Sequence, residues 1–248
     1  MSIGKILYFR ELTEMQAMNR MMIITKAISQ NHQQGLTISE LTERTNLPLA
    51  TLHRILSSLV EHRFVELDPH NKRYRLGDVW MQYGLQVYDQ YDYVSRIRPI
   101  MDELAQTVNE SIYMHKPMET ESMIVERLDG PNSRIHIVDP LGLRTAMPIG
   151  AVNQVILSCR EFLSKKENPF AIDLAILQNT VLNGYAIASD SAKETIALAA
   201  PIFAKNGELL HIISMSVLEY SFTEERKSFL LDQLVATTKK IEDVLYFM

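Results

Sequence analysis

Residues 36–77 read LTISELTERTNLPLATLHRILSSLVEHRFVELDPHNKRYRLG, and the order of signals within them decides the fold. Thr37-Ile38-Ser39-Glu40 has capping-box spacing, with threonine at the N-cap and glutamate three residues on. A short helix follows that buries Ile38 and Leu41, and Asn46 suits the left-handed conformation that stops it. Pro48 stands where a new helix starts, because its missing N–H costs nothing there. From Leu49 to His62, at about 100° per residue, Leu49, Leu52, Ile55, Leu56, Leu59 and Val60 share one side. Ala50, Thr51, Arg54, Ser57, Ser58 and Glu61 share the other, with His53 at the margin. Phe64–Leu67 and Tyr74–Gly77 flank a turn of Asp, Pro, His, Asn, Lys and Arg, which predicts a hairpin with a basic tip.

Upstream, Met15–Asn31 has a helical pattern with Met18, Met21, Met22, Thr25 and Ile28 along one side, and Gly35 ends it. Residues 1–14 form an N-terminal extension. Helix, capped helix, tight turn, polar-faced helix and basic hairpin together predict a winged helix-turn-helix DNA-binding domain over residues 1–77. Such a unit lays its second helix in the major groove of double-stranded DNA. Ala50, Thr51 and Ser57 are small enough for close approach, and Arg54 suits guanine or phosphate. Lys72 and Arg73 at the hairpin tip suit flanking phosphate or the minor groove. Thr37, Arg44 and His53 complete the candidate DNA-binding set. The competing reading is a winged helix used only for protein contacts.

Downstream, Asp78 can cap a helix running to about Tyr91, and residues 78–94 are expected to form a linker helix. Its rings (Trp80, Tyr83, Tyr88, Tyr91, then Tyr93) are too many for one helix to hide, which points to a partner helix from a second subunit. Pro99 is expected to open a helix over Ile100–Val108. Beyond it, strands are expected at Ser111–Lys116, Ser122–Leu128, Ile135–Val138, Tyr185–Ala188, Ile196–Phe203 and Leu209–Leu218. Helices are expected over 151–159 and 170–182, and after Thr223, whose cap precedes Glu224 and Glu225. Lys205-Asn206-Gly207 makes the turn between the last two strands. The fold class is therefore α+β, with an antiparallel-rich sheet and a helical layer over residues 95–248.

The 248 residues are 46% hydrophobic and 22% charged, which excludes wholesale disorder. Residues 1–78 carry ten Lys/Arg against eight Asp/Glu, net +2, and the remainder carries fifteen against twenty-two, net −7. That difference suits an anion-binding first module joined to an acidic second one. The single cysteine, Cys159, excludes a disulfide framework and a zinc finger. His115, His136 and His211 fall on separate strands without Cys or Glu patterns, so neither a metal nor another cofactor is expected. No apolar run approaches the ~20 residues of a membrane span, and the first ten residues do not read as a signal peptide. A soluble, cytoplasmic protein is the expectation.

Residues 36–77 resemble the DNA-binding domain of IclR-type transcriptional regulators, best at Leu47, Pro48, Thr51, Arg54 and Leu56 and from Phe64 to Gly77. The likeness continues in order to about residue 245. Arg98–Ala105 resembles the first helix of that family's effector domain, and Leu198–Phe203 with Ile213–Ser216 resembles its final hairpin. The resemblance implies a GAF-like C-terminal domain that binds a small organic acid, in a homodimer or a dimer of dimers. This sequence also departs from the family pattern. Leu49 and Ala50 stand where members carry Lys-Ser, and Ala197 stands at a frequent cysteine. The family's Thr-Ala-x-Gly-Lys-Ala stretch reads Gly150-Ala151-Val152-Asn153-Gln154-Val155 here.

Ser214 and Ser216 alternate on one strand, so their hydroxyls share a face, either an inner face or a solvated one. An inner face would suit a small carboxylate beside helix N-terminal amides near Gly150–Val152, Gly150 and Ala151 first, with Met147 and Ile149 as an apolar wall. Asp190 lies near the family's acidic site; a loop cap is the plainer role for it. With Ala197 these residues form the candidate effector set. Two other functions compete with a ligand-responsive regulator. One is a DNA-binding oligomer whose effector pocket is degenerate. The other is a small-molecule enzyme, for which no Gly-x-Ser-x-Gly, paired histidines or cysteine pair is present.

Overall fold

The computed structural model describes residues 3–89, 92–131, 139–163, 169–190 and 193–246. The chain divides into two compact units, Met1–Tyr91 and Asp92–Met248. The expected strand at Ile135–Val138, and His136 with it, lies outside the described residues.

The first unit opens with α1 (Ile3–Ser29). It takes residues 3–14 of the expected extension into one continuous helix, since no proline or glycine after Gly4 interrupts it. α2 (Ile38–Thr45) begins at the expected capping box. The Thr37 N–H donates to Glu40 Oε2 at 2.7 Å, and the Glu40 N–H returns to Thr37 Oγ1 at 3.3 Å. Asn46 takes φ 54° and stops the helix. α3 (Leu49–Glu61) follows, with Pro48 as its N-cap residue. Strands β1 (Val65–Leu67) and β2 (Tyr74–Leu76) pair antiparallel, and Leu36 bridges Tyr74 as a third short rung. Ile24, Ile28, Leu36, Leu41, Leu52, Leu56, Leu59 and Val65 close the core between these elements. Leu49, expected on the core side, is 51% exposed: it lies in the first turn of α3 and joins no part of that core. Gly77 allows the hairpin to return, because a Cβ there would lie 1.9 Å from the Arg63 carbonyl oxygen.

α4 (Asp78–Asp89) has no buried residue among those described. Trp80 stands edge-on to Phe64 at 5.3 Å and donates Nε1–H to the Phe64 carbonyl at 2.8 Å. Tyr83 also meets Phe64, so part of the ring cluster is satisfied within the unit.

The second unit starts with α5 (Asp92–Val108). Pro99 lies inside this helix and does not open it. A proline there removes one i→i−4 bond, a loss that a 17-residue helix packed through Ile97, Met101, Leu104, Ala105 and Val108 can carry. The strands are β3 (Ser111–Pro117), β4 (Glu121–Leu128), β5 (Arg144–Ala146), β6 (Ala186–Asp190), β7 (Thr195–Phe203) and β8 (Leu209–Leu218). They form one sheet in the order β5-β4-β3-β8-β7-β6, every pair antiparallel. α8 (Glu224–Tyr246) packs with α5 and on β7 and β8. α6 (Gly150–Ser158), extended by a π-helical turn over Cys159–Leu163, packs with α7 (Leu174–Asn183) and on β6, β7 and β8. This is the α+β architecture of the GAF-like type. α7 starts four residues later than the pattern suggested, because Asp173 caps it by accepting from the Ala175 N–H at 2.8 Å.

Candidate nucleic-acid interface and ligand face

α3 is amphipathic in fact as in pattern. Leu52, Leu56 and Leu59 are buried, whereas Ala50, His53, Arg54, Ser57 and Ser58 are exposed and Thr51 is half-buried. Arg54 has no ion-pair partner among the described residues, so its guanidinium is available to a ligand. Arg44, in the last turn of α2, is exposed as well.

The hairpin tip is ordered by Asp68, whose Oδ1 accepts from the His70 N–H at 2.9 Å and the Asn71 N–H at 3.4 Å. The His70 N–H is the main reason the Asp68 carboxyl sits below its ordinary pKa. Lys72 occupies a left-handed position, φ 56°, and is exposed. Two residues expected at the interface are engaged inside the unit. Arg73 Nη1 donates to the Gly35 carbonyl at 2.9 Å and to Glu40 Oε2 at 3.2 Å. The Thr37 hydroxyl donates to the same Glu40 oxygen at 2.9 Å. The Thr37 backbone N–H, then its hydroxyl, and Arg73 hold the Glu40 carboxyl below its usual range. This capping box therefore also fastens the hairpin, a double role that spacing alone could not show.

In the second unit the sheet register sets the candidate ligand face. Tyr113 pairs with Ser214, His115 with Ile212, Ser111 with Ser216, Ala199 with Ser214 and Ala197 with Ser216. Directly paired side chains share a face. Ala186, Ala199 and Ile212 on this face join the core of α6 and α7, with Ala188 and Ala197 packed against it. Ser214 is thus buried under the helices and not solvated, and Ser216 is half-buried. Ser214 Oγ lies 2.8 Å from His115 Nε2, a contact the sequence reading missed. Burial, and then the neighbouring His211, push the His115 pKa down to about 3. His211 Nδ1–H donates to the His115 carbonyl at 3.2 Å, and burial brings its pKa down to about 4. Both rings are neutral at pH 7, and His115 is too weak a base to activate Ser214 as a nucleophile.

The other effector candidates separate. Met147 and Ala151 are buried in the α6 core. Gly150 opens α6 at φ 82°, and Ile149 before it is 65% exposed, outside that core. Asp190 accepts the Lys193 N–H at 3.3 Å and so closes the loop after β6. Two neighbours of Met147 were not anticipated. Arg160 donates to its Sδ at 3.4 Å and to the Glu119 carbonyl at 2.6 Å. Asn153, fully buried, donates Nδ2–H to the carbonyls of Thr145, Ala146 and Ile149 at 3.1, 3.0 and 2.9 Å. Only its place in the Gly150–Val155 departure hinted at it. Among the described residues no group of three His, Cys, Asp or Glu could hold a metal ion, and no helix is long and apolar enough to cross a membrane.

A winged helix-turn-helix joined to an antiparallel GAF-like sheet defines a DNA-binding transcriptional regulator of two domains. The IclR helix-turn-helix domain matches residues 30–69, and the C-terminal domain of the bacterial transcriptional regulator IclR matches residues 174–243. An IclR domain model thus matches within each of the two units. It is 29% identical over 222 residues to the HTH-type transcriptional regulator KipR of Bacillus subtilis, covering 82% of this chain and 87% of that protein. It is 20% identical to KdgR of Escherichia coli, over 88% of each chain. In fold it resembles the IclR transcriptional regulator of Alicyclobacillus acidocaldarius (TM-score 0.73, 18% identity, 92% and 98% covered). It also resembles the Thermotoga maritima IclR (TM-score 0.70, 21% identity, 95% and 99% covered).

Proposed function

We propose that this regulator works in the cytoplasm as a homo-oligomer, a dimer or dimer of dimers, that reads an operator through α3 and responds to a small organic acid on the helix-covered face of its sheet. The observation that carries the DNA reading is the exposed face of α3, where Arg54, without an ion-pair partner among the described residues, lies among His53, Ala50 and Ser57 over a buried leucine row. Arg54 reads base edges or phosphate, Thr51, His53 and Ser57 flank it, and Ala50 lets the helix approach the groove. Arg44 and Lys72 contact phosphate. Thr37 and Arg73 act indirectly, by holding α2 and the hairpin in place through Glu40. Meanwhile the acid lies beside Met147, Ala151 and the first amides of α6, within reach of Ser214, Ser216 and Ala197 on the sheet, with Gly150, Ile149 and Asp190 at the margins. It acts by binding two arrangements of the paired reading helices with different affinity.

Selection of bound sites from random duplex DNA tests the reading. The native chain is expected to enrich a two-fold-related site, and Arg54→Ala to lose enrichment at fixed positions within each half. Selection of the same site with equal strength by both proteins would refute it.

A further inference from the structure

We propose that Asn153 and Ser122 together read a hydroxyl group on the effector, which makes the ligand class a small hydroxylated carboxylic acid; this rests on the acid-binding reading above.

Asn153 stands where the resembled family stretch has glycine, so a carboxamide occupies a position near the start of α6 where that pattern has no side chain. The three carbonyls at 2.9–3.1 Å from Nδ2 only accept hydrogen bonds, so they fix which end of the carboxamide is nitrogen. Oδ1 therefore faces away from those carbonyls. It is buried and meets no hydrogen-bond partner among the described residues. Ser122 is 1% exposed on β4 and pairs with Thr145 of β5, the residue whose carbonyl holds Asn153. Its Oγ is likewise buried without a partner among the described residues. Ser122 and Ile124 lie on the sheet face of His115, since Ile124 pairs with His115 and Ser122 with Pro117. Both orphan groups thus belong to the region of Met147 and Ala151.

Buried polar groups of folded proteins are satisfied, by protein, water or ligand. The chemistry of these two is specific. Asn153 Oδ1 only accepts, so a carboxylate cannot pair with it; Ser122 Oγ donates and accepts. A hydroxyl that donates to Asn153 and accepts from Ser122 satisfies both at once. His115 and Ser214 are closed on each other and do not compete for it. A site that pairs a ligand hydroxyl discriminates strongly against the analogue lacking it, because its own groups are then left unpaired.

The test is calorimetric binding to the full chain with matched probes: glycolate against acetate, lactate against propionate, 3-hydroxybutyrate against butyrate, and mandelate against phenylacetate. At least one hydroxy acid is expected to bind roughly tenfold or more tightly than its partner. Ser122→Ala is expected to cut that ratio below about threefold while the unhydroxylated acid keeps its affinity, and Asn153→Gly to do the same if it folds. Acids that bind without a hydroxyl preference, or a preference that survives Ser122→Ala, would overturn the proposal and leave the acid reading standing; the two groups would then hold only a buried water. Failure of every acid, hydroxylated or not, to bind the native chain would overturn the acid reading itself, and this proposal with it.

Discussion

Acid should weaken the second unit through its two buried imidazoles. An unfolded histidine titrates near 6.5, whereas folding holds His115 at about 3 and His211 at about 4. Below pH 6.5 the unfolded chain binds more protons than the folded one. The stabilisation is therefore full above pH 7 and is lost as the pH falls toward those folded values. At pH 5 each unfolded imidazole lies about 1.5 pH units below its pKa, at about 1.36 kcal/mol per unit, so each histidine forfeits on the order of 2 kcal/mol. The pair together forfeits roughly 4 kcal/mol, a large share of a domain's net stability. Urea unfolding followed by far-UV circular dichroism at pH 7 and pH 5 measures the loss. Trp80, the sole tryptophan, lies in the first unit, so its fluorescence separates the two transitions. A His115→Gln/His211→Gln variant, less stable at both values, should show the smaller drop. Equal losses in native and variant chains would mean that these rings are not held neutral in the fold, and the burial account of the sheet face would fail.

Three further outcomes follow from the first unit. Thr37→Ala removes the N-cap oxygen and the hydroxyl donor to Glu40, and should cost about 1 kcal/mol by Trp80-monitored urea unfolding; no change would detach the capping box from stability. Gly77→Ala places a methyl group 1.9 Å from the Arg63 carbonyl oxygen and should lower the first unit's melting temperature by well over ten degrees, whereas a native-like melt would show that the hairpin return is not tight. Lys72→Ala should weaken specific and non-specific DNA binding equally and reduce the log–log salt slope by about 0.9; an unchanged slope would remove the hairpin tip from the phosphate contacts.

The first unit was legible because its signals are local. A capping box, a left-handed Asn46 and a helix with a leucine row opposite Arg54 each lie within a few residues, and local hydrogen bonds and periodicity settle them. What failed there needed tertiary neighbours. Leu49 fits the apolar side of a wheel but lies in the turn of α3 where that core is absent. Arg73 reads as a tip cation until Gly35 and Glu40 come within reach of it from 33 or more residues away. The second unit was legible as strands and helices but not as a site. Its polar contacts join distant positions, such as His115 with Ser214, 99 residues apart. Pro99 reads as a start signal because nothing local reveals the helical turns before it. β5, three residues on the sheet edge, is too short for any period to register.

The claim on which the account rests is that the hydrophilic side of α3 lies in a DNA groove. Directed cleavage tests it most directly. Cys159 is buried, and burial pushes its thiol up to about 12, so a new surface cysteine is the only reactive one. With an iron chelate on Ser57→Cys, the account predicts cuts within the selected site in two clusters, centred about 10.5 base pairs apart or a whole multiple of that. Cutting no stronger than from a chelate on Asn206→Cys, in the turn between β7 and β8, would contradict it.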